Sequence, residues 1–143
     1  QKAVSIFPGN GEIKSLFNLI AVGQQNINQA QKFSAQALNY FNQQDYVNAA
    51  AEFEKALALN PYEYAFYENA ATANYLIGDL NKAQEQIDKV IQEMNPLNGK
   101  CEYIKALIFI KMGDPLGACP LLATSRDSGY VQAEDIFQQY CSN

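Results

Sequence analysis

The chain has 143 residues, of which 48% are apolar, and this is enough to form one domain with its own core without help from metals. Its net charge of −5 and scattered lysines disfavour nucleic acid and anionic membrane surfaces, since both require a basic face. Histidine is absent, and no apolar run approaches the roughly 18–20 residues of a membrane span.

Residues 1–27 form a lead-in segment with no repeat signal. Within it, Ile13, Leu16, Phe17 and Ile20 are spaced as an apolar stripe along one face of a helix. We expect this helix to pack on the rest of the chain as an N-terminal cap. The alternative is that the stripe makes a contact between chains or docks on a partner.

The rest of the chain is organised by a pattern that recurs about every 34 residues. An aspartate is followed by apolar residues at helical spacing. The first copy is Asp45, Ala49, Phe53 and Leu57; the second is Asp79, Ala83, Ile87 and Ile91; the third is Asp114, Ala118 and Leu122. A fixed period of this length predicts stacked helix pairs, each burying its apolar face against the next.

Capping signals set the boundaries of these units. The aspartates are expected to cap the second helix of each pair, and Asn-Pro at 60–61 and at 95–96 ends the first two units. The repeats therefore span about 30–63, 64–97 and 98–129. A final amphipathic helix at about 131–141 has a polar outer side, which suits a terminal cap.

These residues resemble the tetratricopeptide repeat (TPR). The resemblance rests on an aromatic and small residues in the first helix, Gly-Asp at the turn and Ala in the second helix. The matching residues include Phe33, Ala37, Tyr40, Ala49, Ala56 and Pro61 in the first repeat; Tyr67, Ala71, Gly78, Asp79 and Ala83 in the second; and Ala106, Gly113, Asp114 and Ala118 in the third. It implies an all-α, right-handed solenoid of three helix pairs plus a C-terminal capping helix, over residues 28–143.

The C-terminal end contains Gly113-Asp114, Gly117-Ala118-Cys119, Gly129, Ala133 and Tyr140-Cys141. With these residues it resembles exported TPR proteins of Gram-negative bacteria, in which two cysteines at this spacing bridge the last repeat to the terminal helix. That resemblance implies a disulfide between Cys119 and Cys141, with Cys101 unpaired, and export to the periplasm or envelope. Such a bridge should stabilise the domain by roughly 3 kcal/mol. The alternative is three buried thiols in a cytoplasmic protein.

No arrangement of residues in the sequence predicts catalysis, a cofactor or a metal site. The cysteine separations do not fit zinc, and Gly9-x-Gly11 is too short for a phosphate loop. We therefore expect a non-enzymatic protein.

The TPR resemblance implies that the first helices of successive repeats line a concave groove for a peptide or partner helix. The residues expected to face it are Ser34, Leu38, Asn42, Tyr64, Glu68, Thr72, Tyr75, Tyr103, Leu107 and Lys111. The function expected from the sequence is thus binding of a protein or peptide partner. The alternatives are a structural element that self-associates through residues 1–27, and an accessory domain of a larger complex.

Overall fold

The computed structural model describes residues 10–142, and within them the chain is helical with no strand. The nine residues before Asn10, part of the predicted lead-in, lie outside the described region. Seven helices follow one another: α1 (Asn10–Asn42), α2 (Tyr46–Leu59), α3 (Tyr64–Ile77), α4 (Leu80–Lys89), α5 (Lys100–Lys111), α6 (Pro115–Asp127) and α7 (Gln132–Cys141). A π-helical turn, Val90–Met94, extends α4.

The predicted aspartate caps are confirmed. The side chains of Asp45, Asp79 and Asp114 accept hydrogen bonds from backbone N–H groups three residues later, at 3.3, 3.2 and 2.9 Å. Each carboxylate satisfies a donor that has no partner within its helix. Pro115 occupies the first position of α6, where its missing N–H costs nothing. Local sequence therefore decides where α2, α4 and α6 begin.

The helices pack on one another through alanine, as a solenoid of helix pairs requires. In each pair, the Ala–bulky apolar pattern of the second helix is fully buried, as at Phe53, Ile87 and Leu122. Among the described residues, eleven alanines are also fully buried: Ala30, Ala37, Ala49, Ala56, Ala70, Ala71, Ala73, Ala83, Ala106, Ala118 and Ala133. Small side chains let helix backbones approach closely, so each pair completes its core with the next one.

Helix α1 differs from its prediction. It runs for 33 residues without a break at the expected boundary between 27 and 28. At 1.5 Å per residue it is roughly 50 Å long, whereas the 14 residues of α2 cover only about 21 Å. The apolar stripe of residues 13–20 therefore extends beyond α2, and Leu16, Phe17 and Ile20 are exposed. The expectation that this stripe caps the first repeat is wrong.

A chain of polar side chains crosses the interface between the first two repeats. The Asn74 amide donates to Gln86 Oε1 at 2.8 Å, and the Gln86 amide donates to Glu54 Oε1 at 2.6 Å. Asn74 and Gln86 are both buried. In the repeat pattern that the sequence resembles, an aromatic residue is expected where this chain has Asn74. The amide is tolerated there because its partner is buried with it.

Replacing Asn74 with Ala should lower the free energy of unfolding by about 1–3 kcal/mol, because the Gln86 carbonyl oxygen loses its donor while still buried. Replacing both Asn74 and Gln86 with Leu should cost less than the single change, because no buried polar group is then left unpaired. Glu54 loses its bond from Gln86, but it is partly exposed and lies 3.5 Å from Lys82 Nζ. Urea unfolding of the three proteins measures this. A double variant less stable than Asn74→Ala would contradict the assigned role of the pair.

In the third repeat a polar contact, which the apolar pattern does not predict, joins the start of α5 to the end of α6. The Ser125 hydroxyl, fully buried, donates to the Gly99 carbonyl at 2.6 Å. Gly99 has φ +77°, and a Cβ built on it would lie 2.6 Å from the Ser125 carbonyl oxygen. The repeat pattern fades at Ser125 because the start of α5 and the end of α6 meet there through backbone and hydroxyl rather than through apolar side chains.

Changing Gly99 to Ala should therefore destabilise the protein by about 3 kcal/mol, combining left-handed strain with a backbone clash. Gly129 is the matched control, because it has φ +92° but open space around the added Cβ. Gly129→Ala should cost only the conformational strain of about 1 kcal/mol. Thermal unfolding compares the two variants, and equal losses would show that the clash at Gly99 is relieved.

Candidate functional site

The face formed by α1, α3 and α5, which we call the inner face, contains a pocket of about 260 Å³. Helices from all three repeats contribute to it, and Tyr130, two residues before α7, also lines it. Its walls are mainly apolar, with amide, hydroxyl and ammonium groups among them. The lining residues are Leu38, Phe41, Asn69, Thr72, Lys100, Tyr103, Ile104, Leu107 and Tyr130.

Four of the residues expected to face the groove meet in this pocket. Leu38 comes from α1, Thr72 from α3, and Tyr103 and Leu107 from α5. Each lies on the first helix of its repeat, at the register that the repeat pattern assigns to the inner face. Stacking of the repeats thus brings together side chains up to about 70 positions apart in the sequence.

Two further predicted residues pair with each other next to the pocket. Lys111 Nζ donates to the Tyr75 carbonyl at 3.0 Å and lies 4.6 Å from the centre of its ring. This contact joins the C-terminal ends of α3 and α5. Asn42 and Tyr64 are exposed at the end of α1 and the start of α3, and they do not line the pocket.

Ser34 and Glu68 lie in the interior instead of facing a groove, with only 6% and 3% of their surface exposed. Glu68 accepts a hydrogen bond from the Cys101 thiol at 3.1 Å, and Lys100 Nζ lies 4.0 Å from its other oxygen. A carboxylate can be buried where a cation and a donor compensate its charge. Neither residue offers surface to a partner, so these two site predictions are corrected.

Burial raises the pKa of the Cys101 thiol well above its usual range, and the adjacent Glu68 carboxylate adds to the effect. The thiolate is the reactive form of cysteine, so this side chain is chemically inert in the folded protein. Among residues 10–142, no group of three or more His, Cys, Asp or Glu side chains could hold a metal ion. Within that range, too, no helix is both long and apolar enough to cross a membrane.

Sequence reasoning missed five of the pocket residues: Phe41, Asn69, Lys100, Ile104 and Tyr130. Asn69 and Lys100 lie three residues before Thr72 and Tyr103, so extending the helical spacing by one turn would have found them. Tyr130 lies outside the first helices, in the loop before α7. No repeat position predicts it, because it reaches the pocket only through the way α7 packs.

Tyrosines from three parts of the chain lie close together beside the pocket. The rings of Tyr103 and Tyr130 are 5.0 Å apart in an edge-to-face arrangement. Burial raises the pKa of Tyr75, Tyr103 and Tyr130, and neighbouring tyrosine or carboxylate groups raise them further. These hydroxyls therefore remain neutral hydrogen-bonding groups at physiological pH, and the pocket wall carries no tyrosinate charge.

The predicted bridge between Cys119 and Cys141 is present, with a Cα–Cα distance of 5.7 Å. It ties α7 to α6, its neighbour in the stack. Arg126 strengthens the same contact, with its guanidinium 4.6 Å from the centre of the Phe137 ring and 3.6 Å from Glu134. Because Tyr130 lies two residues before α7, this attachment also helps to hold Tyr130 in the pocket wall.

Denatured but unreduced protein should contain one reactive thiol, from Cys101, and the folded protein none. Replacing both Cys119 and Cys141 with Ser should lower the free energy of unfolding by roughly 3 kcal/mol, because the unfolded chain regains the entropy of a 22-residue loop. Thiol titration and urea unfolding measure the two effects. Three reactive thiols in the denatured protein would contradict the bridge.

Comparison with known proteins points to one architecture. No protein-family model matches the chain, and no curated protein matches it. Among solved structures, it is similar to the TPR domain of Arabidopsis OM64 (TM-score 0.76, 12% identity, 82% of this chain and 98% of that one). It is also similar to the Sgt2 TPR domain from Aspergillus fumigatus (TM-score 0.62, 18% identity, 78% of this chain and 80% of that one). With its helix pairs, caps and alanine packing, the chain therefore has the fold of a TPR protein.

Proposed function

We propose that this protein is a non-enzymatic interaction module that binds an extended segment or a helix of a partner protein on its inner face. The observation that carries the proposal is the pocket shared by α1, α3 and α5, to which Leu38, Thr72 and Leu107 contribute. The similarity to TPR domains supports a role in protein interaction in general, and the pocket suggests where the interaction takes place.

The size and chemistry of the pocket favour a protein partner. Its volume of about 260 Å³ falls below the roughly 300–1,000 Å³ of small-molecule sites. An apolar pocket of this size can hold one large side chain of a partner. In many protein interfaces a few side chains inserted into such pockets provide most of the binding energy. The amide of Asn69 and the ammonium of Lys100 at the same surface can meet carbonyl groups of the partner's backbone.

The ionisable groups near the pocket argue against catalysis. Glu68 is buried and accepts a hydrogen bond from Cys101. The raised pKa of the Cys101 thiol argues against a role for Cys101 as a nucleophile. Lys100 lies near Glu68, and Lys111 is bonded to the Tyr75 carbonyl. An acid–base pair would need a second titratable group facing open space, and these contacts do not supply one.

An oxidising compartment, such as the periplasm of a Gram-negative bacterium, is the location that we propose. The support is the bond between Cys119 and Cys141, since structural disulfides form and persist in such compartments and are rare in the cytosol. The buried Cys101 is compatible with either compartment.

Replacing Leu38 with Glu should reduce capture of the partner at least about tenfold, because it puts a charge on an apolar pocket wall. Leu38 is 42% exposed, so the change should leave the fold intact. The matched control is Leu116→Glu on α6, an exposed leucine away from the pocket.

The measurement is affinity capture from the native compartment with each variant, followed by direct binding to the captured protein. Equal binding by wild type and Leu38→Glu would contradict the pocket as the contact site. Equal loss with Leu116→Glu would indicate that another face of the protein, or its surface charge in general, governs the interaction.

A further inference from the structure

The first half of α1 has an apolar face that nothing covers in the described part of the chain. It extends beyond α2, and Leu16, Phe17, Leu19 and Ile20 each expose more than half of their surface. A contiguous apolar face of this kind on a soluble protein marks an interaction surface. The inner-face pocket does not include any of these residues.

The spacing of this face matches an interface that already exists further along the same helix. Ile13, Leu16, Ile20, Gly23 and Ile27 alternate at three and four residues, the spacing of a coiled-coil stripe. The alternation continues through Ala30, Ser34 and Ala37, which are buried where α1 packs against α2. The second half of one continuous stripe is thus covered by an antiparallel helix, whereas no described residue covers the first half.

The charge pattern indicates which helix could cover the first half. No residue from Ser15 to Gln31 carries a charge, so a partner selected by charge would find nothing to pair with. In a two-fold pair the same patch serves both chains, and any charge near the axis would oppose its own copy. A long uncharged helix face avoids that repulsion, and this favours self-pairing.

We propose that the first half of α1 pairs antiparallel with the same segment of a second copy of this chain. The α1 helix of the second copy would then cover the first half of α1 and would run antiparallel to it, as α2 does on the second half. In a parallel pair the second halves of the two α1 helices would also face each other. Each is already covered there by its own α2, so the two α2 helices would collide. Gly23 lies within the stripe, and the space around its missing Cβ is open, so the two backbones can approach closely there.

The size of the contact predicts a weak dimer. About 16 residues of each helix can overlap before the end of α2 is reached, a length of roughly 24 Å. Two such faces bury on the order of 900 Å² in total, just below the size of stable specific interfaces. We therefore expect dissociation in the micromolar range, with monomer at low and dimer at high concentration.

Sedimentation equilibrium of the full chain, from about 1 to about 300 µM, tests the pairing. Wild type should shift from monomer to dimer, and Ile20→Glu should remain monomeric at every concentration. The matched control is Asn18→Glu, which adds the same charge on the opposite, polar side of the helix and should still dimerise. Neither side chain packs on the repeats, so circular dichroism should show both variants fully folded.

A nitroxide label at Gln29→Cys, on the polar side, tests the orientation. An antiparallel pair centred near residues 18–20 places the two labels roughly 27–33 Å apart along the axis, whereas a parallel pair places them about 10 Å apart. Cys101 is buried and does not compete for the label.

A monomeric wild type at the highest concentration, a dimeric Ile20→Glu, or the short label distance would each overturn the proposal. A monomer that co-sediments with neutral phosphatidylcholine vesicles would instead assign the face to a lipid surface.

Discussion

Close packing of helices through alanine is the constraint on which the rest of this structure depends. At Ala49, Ala83 and Ala118, the same position in three successive repeats, the side chain is fully buried and a larger one would push two helices apart. Because the helices approach so closely, no pair has room for a core of its own, and each buries its apolar face on the next. The single bulky residues Phe53, Ile87 and Leu122 then fill the space that the alanines leave. The stack is therefore regular, and its regularity sets the shape of the surface on which we propose that a partner binds.

That regular stack both creates the inner face and has to be closed at its last repeat. Because α1, α3 and α5 are held at a fixed spacing, residues distant in sequence form one pocket with apolar walls. Within residues 10–142 the third repeat is followed by α7, which is held by the Cys119–Cys141 bridge and the Arg126–Phe137 contact. Tyr130 connects the two features, since it lies beside Tyr103 in the pocket and two residues before α7. At the other end α1 continues beyond α2, and within residues 10–142 no other helix covers that part of it.

Much of the fold could be predicted from the sequence because its signals are local or periodic. The aspartate caps and the alanine register each depend on one helix and its immediate neighbour, and the structure follows them closely. The site was predicted less well. Helical spacing shows which side of a helix a side chain occupies, but it does not show which residues from other helices pack against that side chain. Glu68 points inward because Cys101 and Lys100 happen to meet it, and Tyr130 reaches the pocket only because α7 folds back. The length of α1 was also missed. No proline interrupts α1 at the expected boundary, whereas Asn60-Pro61 ends α2, so the two helices differ in length.

The central claim is that the inner face is where a partner protein binds. Site-specific photo-crosslinking tests it most directly, with a photoreactive amino acid placed in turn at Asn69, in the pocket, and at Leu116, an exposed position on α6. In cells that produce the protein, the account predicts a discrete crosslinked partner from position 69 and none from position 116. Crosslinks of equal yield from both positions, or from 116 alone, would contradict it and move the interaction to another face of the solenoid.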